Sequence, residues 1–172
     1  MRPLIGKGGD KLLPELTGVD AESPLGKQLS DERSSLFLDE YLPGLRPTHG
    51  ARLLVEKLKA KGVRVVIATS SSEKELQALL RQAEVADLIE RATSSADGAS
   101  KPDPDIVRAA LEEGRPAPRE TLMVGDTPYD IEAAGRSAVK TIALRCGGWC
   151  DAALSDAIAI YDDPAALATE LD

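Results

Sequence analysis

Apolar residues recur along this chain with two periods. Between Ala51 and Lys61, Leu53, Leu54, Val55 and Leu58 gather on one side of a 3.6-residue repeat with charges opposite, and Gly62 ends the predicted helix. A predicted strand, Val63–Thr69, follows. Ser71-Ser72-Glu73 then opens a second helix whose apolar face continues through Leu76, Leu79, Leu80 and Ala83. Ala86–Thr93 reads as a short helix or turn running into a weak strand, and Ser94–Ser100 as a small, polar loop. Pro102-Asp103-Pro104-Asp105 starts helix Ile106–Glu113, with proline and acids suited to a first turn. Beyond it come strand Thr121–Gly125, helix Pro128–Arg136, strand Val139–Leu144, strand Ile158–Tyr161 and helix Pro164–Leu171. Strands alternating with helices are the pattern of a parallel sheet with crossover helices, so the fold class is α/β.

The first 48 residues break this rhythm. Asp10–Leu16 and Pro24–Leu42 carry helical patterns, with Leu25, Leu29, Phe37 and Leu38 among the apolar positions, and no strand separates them. The expected organisation is a helical subdomain over residues 1–48, joined near Leu42–Gly50 to an α/β core over 49–172.

Composition narrows the partners. The 172 residues are 42% hydrophobic but only 3% aromatic, so the core must be aliphatic and stacking surfaces for bases are scarce. A formal net charge of -8 with dispersed cations opposes the electrostatic term that drives nucleic-acid binding, and nucleic acid is excluded as a partner. The longest apolar runs, Val63–Ala68 and Ala157–Tyr161, are far short of the roughly 18–20 residues of a membrane span. Met1-Arg2-Pro3-Leu4 lacks the apolar run of a signal peptide, so the expected address is cytoplasmic. Cys146 and Cys150 match neither a disulfide scaffold nor a structural zinc site and read as ordinary thiols.

Three places carry candidate chemistry. In Val124-Gly125-Asp126-Thr127-Pro128-Tyr129-Asp130 an apolar strand ends at a glycine, and two carboxylates lie four apart across a turn into a helix. Hard divalent cations take such oxygen ligands and leave other positions for water and phosphate; a turn with a helix cap is the plainer use of the same residues. Val66-Ile67-Ala68-Thr69-Ser70 places a hydroxyl and backbone N–H groups where a strand gives way to a helix, which suits phosphate oxygens or, again, a simple N-cap. Lys101 stands at a loop-to-helix junction, where it is either a fixed counter-charge or a solvated surface lysine. All fall at strand ends or helix starts of one α/β unit, on the same edge of the expected sheet.

In this order Thr69, Lys101 and Gly125-Asp126 with Asp130 resemble the second, third and fourth motifs of the haloacid dehalogenase (HAD) superfamily. Pro102-Asp103-Pro104 and the run Asp126–Ala134 are similar to its phosphoglycolate phosphatase and β-phosphoglucomutase branch, and the likeness extends over nearly the whole chain. A bacterial receiver domain also combines acids, Thr and Lys around Mg2+, but there the acids come first. The resemblance implies a Rossmann-like core with a partial helical cap, and a Mg2+-dependent phosphatase of small phosphorylated metabolites. It implies that Thr69 and Ser70 hold phosphoryl oxygens, that Lys101 offsets negative charge, and that Asp126 binds Mg2+, with Asp130 as second ligand or as orienter of Lys101. It also implies that Leu4–Asp10 faces the substrate.

One departure matters. The family's first motif, Asp-x-Asp-Gly-Thr on a central first strand, supplies the nucleophilic aspartate, and nothing in residues 1–48 matches it. Asp103-Pro104-Asp105 begins a helix and is no substitute. The expectation is an enzyme only in an intact form, with this chain inactive alone; the alternative is a non-catalytic phosphate-binding or regulatory protein. The sheet should lack its central strand between those ending at Thr69 and Gly125, with direct pairing of the two, or a strand supplied by another chain, as the ways of closing it.

Overall fold

The computed structural model describes residue 4 and residues 6–172. The start at Met1–Pro3 and Ile5 of the loop expected to face the substrate lie outside the described residues. α1 (Gly9–Thr17) and α2 (Pro24–Leu36) come first, and α2 runs through a widened turn (Phe37–Tyr41) into a short 3-10 turn (Leu42–Gly44). The rest alternates as α3 (Ala51–Ala60), β1 (Val66–Ala68), α4 (Glu73–Gln82), β2 (Arg91–Thr93), α5 (Asp105–Gly114), β3 (Leu122–Gly125), α6 (Pro128–Arg136), β4 (Lys140–Leu144), β5 (Ala159–Tyr161) and α7 (Pro164–Thr169). The α/β class read from the sequence is the observed one. Among the described residues no helix is long and apolar enough to cross a membrane.

Helix starts follow local chemistry. Ser23 Oγ accepts from Gly26 N at 3.0 Å at the start of α2, Ser72 Oγ from Glu75 N at 3.3 Å at α4, and Asp163 Oδ1 from Ala166 N at 2.8 Å at α7. Each cap satisfies a backbone donor that has no partner inside its helix. The strands come out shorter than their apolar runs. Val63–Val65 lies outside β1 because β2 offers partner backbone only from Arg91, in the register Val66↔Arg91 to Ala68↔Thr93; the residues before it form a turn closed by Leu88 N to Val85 O.

All strand pairs are parallel, but they form two sheets: β1 with β2, and β3-β4-β5. Among the described residues β1 and β3 do not pair, and the break expected between Thr69 and Gly125 lies between the two sheets. Parallel strands are ordinarily buried on both faces. Here Leu122 and Val124 of β3 stay 54% and 38% exposed. Met123, pointing the other way, packs on Val107, Ala133, Ala134 and Val139.

The core divides along the same line. Leu54, Leu144, Leu167 and Ala168 join α3, β4 and α7, whereas Leu76, Leu80 and Val85 join α4 to Ile67 and Ala92 of the smaller sheet. α5 spans the two, packing on β1, β2 and α6, with Ile106 completely buried.

Candidate functional site

β1 and β3 both point their carboxyl ends at one region, and the loops leaving them carry the candidate residues. Thr69 extends the first sheet, its N–H donating to Thr93 O at 3.3 Å, and its Oγ1 accepts from Ser71 N at 3.1 Å. That bond folds Thr69–Ser71 into a tight turn immediately before the cap of α4. Ser70 Oγ accepts from the backbone N–H of Lys101 at 3.3 Å, tying this turn to the lysine loop.

Lys101 Nζ donates to Asp130 Oδ1 at 2.6 Å, with side chains only 15% and 4% exposed. The other oxygen, Oδ2, accepts from Asp126 N (3.2 Å), Thr127 N (3.0 Å) and Thr127 Oγ1 (2.8 Å). Thr127 Oγ1 in turn accepts from Asp130 N at 3.3 Å, completing a reciprocal capping box at the start of α6. Both oxygens of Asp130 are thus engaged. Gly125 permits the arrangement, since a Cβ there would lie 2.4 Å from Asp130 Cβ.

Asp126 is partly buried at the end of β3. Burial and, secondarily, the charge of Asp130 push its carboxyl above the usual carboxylate range, while Lys101 opposes the rise. Cys146 is raised as well, by burial and then by Asp126. The turn that carries it backs onto Asp126 so closely that a Cβ at Gly147 would meet the Asp126 carbonyl at 2.4 Å. Among the described residues the cation paired with these two neighbouring acids is Lys101, which leaves them one positive charge short. A hard cation at Asp126 would relieve that shortage, taking one carboxylate and leaving its remaining positions to water and phosphate oxygens. Among the described residues no group of three or more His, Cys, Asp or Glu side chains is gathered into a ready-made metal cage.

The amino-terminal loop comes down beside these groups. Asp10 Oδ2 accepts from Ser100 N at 3.3 Å, Lys11 pairs with Asp103 at 2.7 Å, and Lys7 Nζ lies 5.5 Å from the Tyr129 ring centroid. Tyr129 also meets Trp149 edge to face, with centroids 6.2 Å apart. A cavity of about 630 Å³ lies under α1, lined by residues such as Lys7, Lys11, Asp103 and Arg136; it borders Pro102 but includes neither Thr69 nor Asp126. Sequence reasoning gave Thr127 no role of its own, and placed Asp10 only as the end of the Leu4–Asp10 segment expected to face the substrate. Thr127 was detectable, as a cap residue three positions before an acid; the reach of Asp10 to Ser100 carries no local signal.

Residues 2–144 match the family model of haloacid dehalogenase-like hydrolases. The chain belongs to that family. The haloacid dehalogenase-like chain is 28% identical over 176 residues to a phosphoglycolate phosphatase of Rhodospirillum rubrum, covering 97% of itself and 73% of that protein. To the tyrosine-protein kinase PtkA of Mycobacterium tuberculosis it is 32% identical over 97 residues, 56% of itself and 32% of the kinase. Among solved structures, a hydrolase from Pseudomonas syringae superposes with a TM-score of 0.89 at 26% identity, over 99% of this chain and 80% of that one. CbbY from Rhodobacter sphaeroides in complex with phosphate has the same fold, with a TM-score of 0.80 at 22% identity over 96% and 78% of the two chains.

Proposed function

We propose that the chain carries the phosphate- and metal-binding part of a Mg2+-dependent phosphatase acting on small phosphomonoesters, and that these 172 residues do not turn over substrate alone. The observation that carries this reading is the bonded chain Ser70–Lys101–Asp130–Asp126, which brings three loops from both sheets to one place. The phosphoglycolate phosphatase likeness over nearly the whole chain supports the substrate class.

In this reading the Thr69–Ser71 turn presents its hydroxyls and N–H groups to the phosphoryl oxygens, and Lys101 offsets their charge. Asp130 holds the Lys101 ammonium in place and, with its carboxylate already engaged, orients the lysine instead of binding metal. Asp126 is the protein carboxylate for Mg2+, which when bound supplies Lewis-acid neutralisation of the phosphoryl group. Covalent catalysis through an aspartyl-phosphate needs a further in-line carboxylate, and residues 1–48 offer no Asp-x-Asp at a strand end. Residues 1–48 act as a partial cap over the core of 49–172, the address is cytoplasmic, and the partner is a phosphorylated metabolite, not nucleic acid.

Hydrolysis assays on the pure chain with Mg2+ and small phosphomonoesters are expected to give no turnover. Clear Mg2+-dependent turnover abolished by Asp126→Ala would overturn the claim of inactivity. A second reading, a non-catalytic phosphate-binding or regulatory protein, is favoured by the intact Lys101–Asp130 pair in a chain without the nucleophile. Both readings require heat on titrating phosphate with Mg2+ into the protein; silence at millimolar ligand would refute both.

A further inference from the structure

α4 begins at the turn assigned above to the phosphoryl group, and its first turn holds a carboxylate that this assignment does not use. Glu75 is 3% exposed. Its Oε1 accepts from Arg33 Nη2 at 2.6 Å, a partner 42 residues earlier on α2, whose own side chain is 54% exposed. An acid in a helix's first turn normally complements the positive end of the helix dipole. Where that same end must receive an anion, the acid subtracts from the attraction. Three residues at about 1.5 Å rise put Glu75 within one turn of Ser72, inside the roughly 8–10 Å over which salt leaves charges unscreened.

We propose that Arg33 is a positioning residue for phosphate binding: it cancels the Glu75 charge at the base of the phosphate-binding turn, so docking of α2 on the core and phosphate affinity are linked. The inference rests on the phosphoryl-binding reading of Thr69–Ser71. Because the pair joins α2 to the core, loss of the helix from its place would expose phosphate to the uncompensated carboxylate, and bound phosphate would favour the docked helix by the same factor.

The test is calorimetric titration of inorganic phosphate, at saturating Mg2+, into the 172-residue protein and three variants. Arg33→Met is expected to weaken phosphate on the order of tenfold, the effect of a unit charge about 10 Å away at an effective dielectric constant of about 20. Glu75→Gln should bind as well as or better than the parent, and the double variant, which like the parent carries no net charge at this place, should match the parent. A purely structural contact would instead weaken binding in both single variants, and that result overturns the proposal. So does equal binding by Arg33→Met and the parent. If Arg33→Met does not fold, the double variant still decides, since it buries no unpaired charge: affinity well below that of the parent would show that Arg33 does not act through Glu75. No phosphate binding by the parent protein would fail the phosphoryl-binding reading itself, and this inference with it.

Discussion

Removing Asp130 should cost far more stability than removing Lys101, although the two form one ion pair. Asp130→Ala takes the acceptor from three donors, Asp126 N, Thr127 N and Thr127 Oγ1, and leaves the mostly buried Lys101 ammonium without its carboxylate. Breaking a buried pair this way costs about 3–5 kcal/mol. The Thr127 hydroxyl can rotate to another acceptor and the 15% exposure of Lys101 admits some water, so about 4 kcal/mol is the expected size. Lys101→Ala leaves Asp130 with three of its four hydrogen bonds, so its cost is that of one charge-assisted bond, about 1.5–2 kcal/mol. The assay is urea unfolding of parent, both single variants and the double, followed by circular dichroism, with unchanged m-values as the check on two-state behaviour. The reasoning also requires the double variant to cost less than the sum of the singles, since Asp130→Ala alone strands a charge that the double removes. Equal costs, or a costlier Lys101→Ala, would show that Asp130 is held mainly by its lysine and that the capping network is secondary.

Asp126→Asn is expected to stabilise the protein at neutral pH by about 0.5–2 kcal/mol, because it removes a carboxylate whose ionised form burial and Asp130 disfavour. With its folded pKa raised, the penalty applies above that pKa and vanishes as Asp126 protonates, so thermal melts should show the advantage shrinking as pH falls into the carboxylate range. Asp103, Asp163 and Asp172 have the opposite sign: Lys11, His49 and Lys57 respectively hold them below the usual carboxylate range. Their contribution is complete above the ordinary carboxylate pKa and is lost as pH falls through the lowered values, so Lys11→Met should flatten the acid side of the stability profile. Leu122→Ala should change stability by less than about 0.5 kcal/mol, whereas Met123→Ala should cost about 2 kcal/mol, an inversion of the buried-strand rule that urea melts can read.

Helices were legible because their signals are local. The apolar faces of α3 and α4 and the cap at Ser72 each rest on residues within four positions of one another in sequence. Strand ends were not, because β1 stops where β2 ceases to offer backbone, and that limit lies 25 residues away from Val66 at Arg91. Candidate site residues were legible as positions. Their roles were not: the Asp-x3-Asp spacing marks both carboxylates alike, and only the three dimensions show that Asp130 spends its oxygens on Lys101 and its own helix cap while Asp126 is raised by its burial and by the charge of Asp130. Contacts across long sequence separations, Arg33 with Glu75 and Asp10 with Ser100, join exposed-looking polar residues and follow no periodicity.

The position of the break in the sheet makes these side-chain contacts more than accessories. In a continuous parallel sheet, main-chain hydrogen bonds would hold the end of β1 against the end of β3, and loop residues at both would inherit that rigidity. Here the ladder stops between the two strands. What spans the gap at the carboxyl edge is the lysine loop, anchored to the β1 side by Lys101 N on Ser70 Oγ and to the β3 side by Lys101 Nζ on Asp130. Beneath it, α5 packs on both halves. Lys101 therefore bears on the site twice, through its charge and through its backbone. A substitution that keeps the backbone but removes the ammonium cuts only one of the two anchors, so Lys101→Met should weaken phosphate binding without separating the sheets. Loosening the pair from the Asp130 side disturbs the cap of α6 and the approach of β3 together, and the distance between Thr69 and Asp126, which the proposed binding of one phosphoryl group requires, is then no longer set.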